Sequence, residues 1–402
     1  MLCSNFVLLS SIMKMMKKNK YKDATIITHS GRKPEDHYGF VNTPIYRGST
    51  VLSNTAKEFK NKTGKYQYGS LGTPSSESLE NNIKDLEQAD GCKLTSSGRS
   101  AILLALLSVL KKDDHILLSD NVYYPTKKIV DSFLSKMGIS SSYFPPDKAM
   151  NIEKYLLKNT KVIFLESPGS LTFEVLDIPY IAKIAKKNKI TTIIDNTWAT
   201  PLYFKPYNHG IDISIHAATK YIVGHSDAML GAVTAIGKSW VLVKNTYDIL
   251  RLNAGTDDIY LGDRGIKTMK VRMDYQLESA IEIAKYLSKN NKIHKVLYPP
   301  LEHDDGHNIW KRDFTGGASL FTFITKDQTN NSVEAFIDNL DLFGIGASWG
   351  GYESLVMPIN PPRSKTNKWK KYENSIIRMY VGLEDTSDLI KDIELNLKLL
   401  SI

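Results

Sequence analysis

Apolar positions along this chain fall into two spacings that alternate. Behind Thr73-Pro74, residues 75–90 carry Leu79, Ile83 and Leu86 on one face, the opening and the period of a helix. Short apolar runs follow at 93–95, 115–118, 161–165, 191–194 and 212–215, and each predicts a strand. Helical stretches at about 100–110, 124–137, 151–158 and 178–187 lie between them. Unbroken apolar strands separated by helices predict a mostly parallel sheet covered on both faces. From 263 to 289 one long helical pattern leads away to an α+β unit, with strands at 319–323 and 376–381. A last amphipathic helix over 386–400 turns Leu389, Ile393, Leu397 and Leu400 inward. The pattern divides the chain into an extension and arm (1–65), an α/β domain (66–265) and a smaller C-terminal α+β domain (266–402).

Composition narrows the picture by exclusion. A chain of 402 residues with 42% hydrophobic content can bury more than one core. No apolar run reaches the ~18 residues of a membrane span, so a soluble, cytoplasmic protein is expected. Cys3 and Cys92 offer neither a disulfide framework nor a metal cluster, and no metal is expected. The net charge of +9 invites a nucleic-acid partner, but five lysines and no acid lie in the first 22 residues, leaving +4 elsewhere. No nucleic-acid-binding motif accompanies them, so that basic stretch reads as a solvated terminus. Its apolar Phe6-Val7-Leu8-Leu9 precedes the lysines, the reverse of an export signal, and Met13, Met15 and Met16 are alternative starts.

Lys220, just past the strand at 212–215, changes the picture most. Asp195 ends its own strand 25 positions earlier. In open parallel sheets, ligands sit at the carboxyl ends of the strands. An amine and a carboxylate placed there suit pyridoxal phosphate, whose aldehyde needs a lysine and whose ring nitrogen needs an acid to stay protonated. Each has a plainer reading, a solvated surface lysine and a helix-capping aspartate. Ser97-Gly98-Arg99 opens a helix that is apolar nearly all round, and such a start, with free N–H groups, favours a phosphate. Thr219 could add a hydroxyl. Tyr123, also past a strand, either stacks on a ligand ring or packs its loop. Arg378 lies within an apolar strand and cannot be buried unpaired: it either joins a structural salt bridge or clamps a substrate carboxylate.

Taken in order, Tyr68-Gly69, Ser97-Gly98, Glu166-Ser167-Pro168-Gly169-Ser170, Asp195-Asn196-Thr197-Trp198, Ala218-Thr219-Lys220-Tyr221, Gly224-His225-Ser226-Asp227 and Ser348-Trp349-Gly350-Gly351-Tyr352 form a recognisable series. The chain resembles the pyridoxal-phosphate enzymes of cystathionine and methionine metabolism, from about residue 25 to its end. Gly169-Ser170 and Trp349 are similar to the bacterial β-lyase branch rather than the γ-lyases and γ-synthases. The resemblance implies a large domain of the aspartate-aminotransferase type (fold type I) and a homotetramer made of two dimers. It implies active sites shared between subunits, with Tyr68 reaching the neighbour's phosphate. By motif position Lys220 holds the cofactor, Asp195 partners its ring nitrogen and Tyr123 stacks on it. Gly98, Arg99 and Thr219 hold phosphate, while Ser348, Trp349 and Arg378 face substrate. The implied reaction is α,β-elimination of L-cystathionine to homocysteine, pyruvate and ammonia, in methionine biosynthesis.

Two departures qualify that resemblance. Ser70 and Leu71 stand where the family carries one or two arginines, which removes a charged partner of the phosphate. Ala217 replaces a serine that many relatives place on the phosphate. A looser site leaves open an amino-acid racemase activity, with Tyr123 and Lys220 on opposite faces of Cα. A γ-lyase, γ-synthase or cysteine desulfhydrase is the remaining alternative.

Overall fold

The computed structural model describes residues 21–326, 329–359, 369–372 and 374–400. The basic stretch before residue 21, with its alternative starts, lies outside the described residues. Twelve strands are described: β1 (Gly91–Thr95), β2 (His115–Ser119), β3 (Ser140–Phe144), β4 (Thr160–Glu166), β5 (Thr191–Asp195), β6 (Ile213–His216), β7 (Gly231–Ala235), β8 (Ile293–Leu297), β9 (Leu320–Thr325), β10 (Gly344–Ile345), β11 (Leu355–Pro358) and β12 (Ile376–Tyr380). The first seven form one sheet in the order β1-β7-β6-β5-β4-β2-β3. From β6 to β3 every pairing is parallel, while β7 runs against both its neighbours. Consecutive residues of β5 show why the parallel strands read as unbroken apolar runs: Ile193 packs into the core on one face and Ile194 into the core on the other.

The helix Pro74–Glu87 opens as its sequence implies. Thr73 accepts from the Ser76 amide, Ser76 accepts from the Thr73 amide, and Pro74 takes the first turn. Its inner face buries Leu79, Ile83 and Leu86 completely. The helix Asp23–His29 docks on it through Ile27, whose carbonyl accepts from Asn82.

Four elements depart from the sequence expectation. β3 and β7 carried no strand signal: β3 is a polar edge of three serines, and β7 is mostly glycine and alanine, poor strand formers. Only burial between β1 and β6 gives β7 its place. The long helical pattern at 263–289 is two helices, Thr256–Ile266 and Met269–Lys289. A Cβ on Gly265 would stand 2.1 Å from the Val223 carbonyl, so the chain passes flush against that loop. The Gly265 carbonyl is then taken by Thr268 and the Arg272 guanidinium instead of the next helical turn. The stretch expected at 151–158 is a 3-10 segment over Pro146–Tyr155, interrupted at Asn151.

Met269–Lys289 buries Met269, Met273, Ala280, Ile283 and Leu287, a stripe of helical period, and leads to the second sheet, ordered β10-β11-β12-β9-β8. The final helix, Thr386–Leu397, covers that sheet with Leu389, Ile393 and Leu397, and Leu400 is buried beyond it.

Beneath the first sheet lies a charged knot. Glu87, fully buried, accepts from His216 Nε2 (2.9 Å), Ser214 (2.7 Å), Asn196 (3.2 Å) and Thr234. Burial opposes its charge, but His216 and these donors hold its carboxyl below the usual range. Replacing Glu87 with alanine strands four buried polar groups, and we expect a loss of about 3–5 kcal/mol. Glu87→Gln, which still accepts hydrogen bonds, should lose less. Urea unfolding midpoints of the cofactor-free proteins check both.

Candidate active site

Lys220 follows β6 in the loop Ala217-Ala218-Thr219-Lys220, where its amide closes a turn onto the Ala217 carbonyl (2.9 Å). Its Nζ donates to Ser348 Oγ at 2.6 Å and lies 5.4 Å from the centre of the Trp349 ring. Both partners come from the loop between β10 and β11, so the second sheet delivers them. That loop sits directly on the lysine: a Cβ on Gly350, whose φ is 91°, would fall 2.8 Å from Lys220 Cα. Burial, and then the charge of Arg378, lower the Lys220 amine from 10.5 to about 8.

Arg378, on β12, is only 6% exposed. Its Nη2 donates to the carbonyls of Gly346 (3.2 Å) and Ser348 (2.9 Å), and no carboxylate pairs with it among the described residues. The salt bridge open as its plainer reading is therefore not formed. Burial lowers its guanidinium to about 10, with Tyr123 acting in the opposite direction. A desolvated cation that keeps donors in hand is a receptor for an anion.

Tyr123 follows β2, half exposed, and its amide donates to Glu166 Oε2 at 2.6 Å. Glu166 ends β4 beside Asp195 at the end of β5, the two in register. Burial raises the Glu166 carboxyl well above its usual range, and Asp195 adds to the shift. Burial raises Asp195 as well, though hydrogen bonds from Thr197 pull it back. Both of these bonds, from the Thr197 amide and hydroxyl, reach Oδ1; Oδ2 receives none among the described residues. The Thr197 hydroxyl also accepts from the Ala217 amide at 2.8 Å, tying the acid to the segment that carries Lys220.

Gly98 begins the helix Gly98–Val109, capped by Ser97. A Cβ on Gly98 would lie 2.7 Å from that of Ala217, so the close approach it permits is to the lysine loop. Among the described residues the amides of Gly98 and Arg99 have no partner, and the Arg99 side chain is exposed and unpaired. Thr219 commits its hydroxyl to Leu230, donating to the carbonyl and accepting from the amide. Tyr68, just past the arm, is 47% exposed, bridged to Thr50 of the arm, and makes no hydrogen bond or ring contact to the others among the described residues.

The fold thus gathers Lys220, Ser348, Trp349, Arg378 and Tyr123, and joins Gly98 and Asp195 to them through Ala217. Sequence reasoning assigned no role to Glu166 or Thr197. Glu166 carried the signal that revealed Asp195, an acid ending an apolar strand, whereas nothing local marks Thr197. A buried carboxylate with one free oxygen, a lysine of lowered basicity and open helix-start amides fit pyridoxal phosphate in charge at each end. In cofactor-free protein, acetylation of Lys220 should rise with pH through about 8, because reagent attacks only the neutral amine. Arg378→Met removes a repelling charge and should move that midpoint upward. Peptide mapping across a pH series measures both.

Known proteins share this fold. A crystal structure of metB from Corynebacterium glutamicum superposes with a TM-score of 0.88 at 28% identity, covering 95% of this chain and 99% of that one. A cystathionine β-lyase of Escherichia coli is 36% identical over 381 residues, 92% of this chain and 96% of its own. An L-alanine/L-glutamate racemase of Wolbachia pipientis is 36% identical over 388 residues, with the same shares covered. Residues 24–398 match the model of the Cys/Met metabolism PLP-dependent enzymes, and the chain belongs to that family.

Proposed function

We propose that this enzyme is a cystathionine β-lyase, breaking the Cβ–S bond of L-cystathionine to release homocysteine, with pyruvate and ammonia from the remainder. One observation carries the reading: Arg378, desolvated and without an acid, stands beside an amine that is neutral to a useful degree near pH 8. An α-amino acid supplies the missing carboxylate, and its Cα–H then faces the amine.

Bound pyridoxal 5′-phosphate supplies an electron-withdrawing ring that acidifies that proton. Asp195, with Oδ2 free of hydrogen bonds among the described residues, would hold the proton on the ring nitrogen, and Thr197 aims the acid and favours its ionised form. Tyr123, its backbone held by Glu166, would lie against the ring. The helix-start amides, Arg99 and Thr219 serve the phosphate, the last by turning its hydroxyl from Leu230. Arg378 orients the α-carboxylate while fixing Ser348 and Trp349 around it. Lys220 Nζ takes the Cα proton, and Ser348 Oγ holds that nitrogen in place.

In this reading residues 66–265 bind the cofactor, 266–402 form the smaller domain, and the arm before residue 66 joins subunits in a cytoplasmic homotetramer. Support comes from the arm's surface, where Leu52 (88%) and Phe59 (75%) are exposed. Among the described residues no helix is long and apolar enough to cross a membrane.

Purified enzyme given L-cystathionine should yield equal pyruvate and free thiol. Lys220→Ala should abolish both; undiminished turnover would refute the assignment. Arg378→Lys, which loses the planar fork, should raise KM about 10- to 100-fold with a smaller effect on kcat. The Wolbachia relative favours a second reading, racemisation of a substrate without a β-leaving group. Formation of L-alanine from D-alanine by the same preparation decides it.

A further inference from the structure

Ser70 stands two residues beyond Tyr68, where an arginine would be expected from the family pattern, yet a guanidinium occupies its vicinity. Arg251 Nη1 donates to Ser70 Oγ at 2.8 Å, from 181 residues further along the chain. Its Nε donates to the Asp248 carbonyl at 2.7 Å, so the planar group is held at two points. Arg251 ends the helix Gly237–Leu250 with φ at 52°, a conformation that costs a non-glycine residue and persists where the surroundings demand it.

The charge of this arginine goes unmatched. No carboxylate pairs with it among the described residues, and the neighbouring Asp248 carboxylate is taken by Lys244 at 2.7 Å. An exposed arginine gains little from one hydroxyl and one carbonyl, while losing the freedom of a long side chain. Two clips that leave Nη2 unused make sense where an anion arrives from outside the chain. The adjoining surface is the one that expects company: Leu52 and Phe59 on the arm and Tyr68 just past it, with Ile249 and Leu250 beside Arg251, all expose apolar side chains.

We propose that Arg251, clipped to Ser70, is a cofactor-binding residue that reaches the phosphate held by the neighbouring subunit. The inference rests on the proposed homotetramer and on the family resemblance, which implies that Tyr68 extends to that phosphate. A phosphate monoester carries nearly two charges at neutral pH, and on its own side the site offers helix-start amides and Arg99. Ser70 is too short to contribute a cation but places one from elsewhere in the chain. The departure at Ser70 then moves the charge to a new backbone position without removing it.

Titrating cofactor-free protein with pyridoxal 5′-phosphate, followed by absorbance, tests the proposal without reference to turnover. Arg251→Ala should weaken binding about 10- to 100-fold, as expected for a charge-assisted hydrogen bond to phosphate. Ser70→Ala should weaken it less, and S70R placed in the R251A background should restore it. Circular dichroism and sedimentation check that fold and subunit number are kept; should R251A misfold, R251Q takes its place. A mixing experiment tests the direction. In hybrids of R251A and K220A subunits, only the former can hold the cofactor on a lysine, and they should regain wild-type affinity from the arginine of their partners. Unchanged binding by R251A, or no recovery in hybrids, overturns the proposal and leaves the lyase reading standing. Failure of the unaltered protein to take up the cofactor overturns both.

Discussion

A guanidinium buried without an acid sets the terms for the rest of this site. Arg378 cannot shed its charge, and burial removes the water that would otherwise stabilise it. The chain meets part of the cost with the carbonyls of Gly346 and Ser348. Those two bonds also fix the loop that presses Gly350 onto Lys220 and hands Ser348 to its amine. One cation therefore performs two tasks. It fixes the loop that lies on Lys220, and by standing near that residue it helps keep its amine weakly basic.

The strand ends show the complementary problem for anions. Glu166 and Asp195 end adjacent parallel strands in register, and two carboxylates so close in a dry setting resist ionising together. Local hydrogen bonding distinguishes them. Thr197 gives Asp195 two donors, whereas Glu166 receives only the Tyr123 amide, and its carboxyl is raised further. The acid best able to remain charged is the one with an oxygen still free. Beneath the same strands, Glu87 draws His216, Ser214, Thr234 and Asn196 into one satisfied network that stiffens the floor.

How much of this was legible in the chain depends on the range of the signal. β2, β4, β5 and β6 announced themselves because a strand covered on both faces must be apolar throughout, and so did the amphipathic helices Pro74–Glu87 and Thr386–Leu397. Lys220, Asp195 and Tyr123 were found by one rule, since each follows a strand's carboxyl end. β7 was invisible because Gly231-Ala232-Val233-Thr234-Ala235 sets only Val233 and Thr234 among small residues that disfavour a strand in isolation. The break after Ile266 was hidden for a related reason: Gly265 is forced by a loop forty residues earlier in the chain.

By itself, then, the sequence determined the class of fold, the strand ends that carry chemistry and the kind of cofactor those residue types can serve. These follow from periodicity and from charges placed beside apolar runs, both local properties. Only the tertiary structure decided that Arg378 has no acid among the described residues, that the Thr197 hydroxyl ties Asp195 to the segment carrying Lys220, and that Arg251 stands at Ser70. Each of these depends on segments that lie apart in the chain. Such contacts are selected by packing and desolvation, which no window of neighbouring residues records.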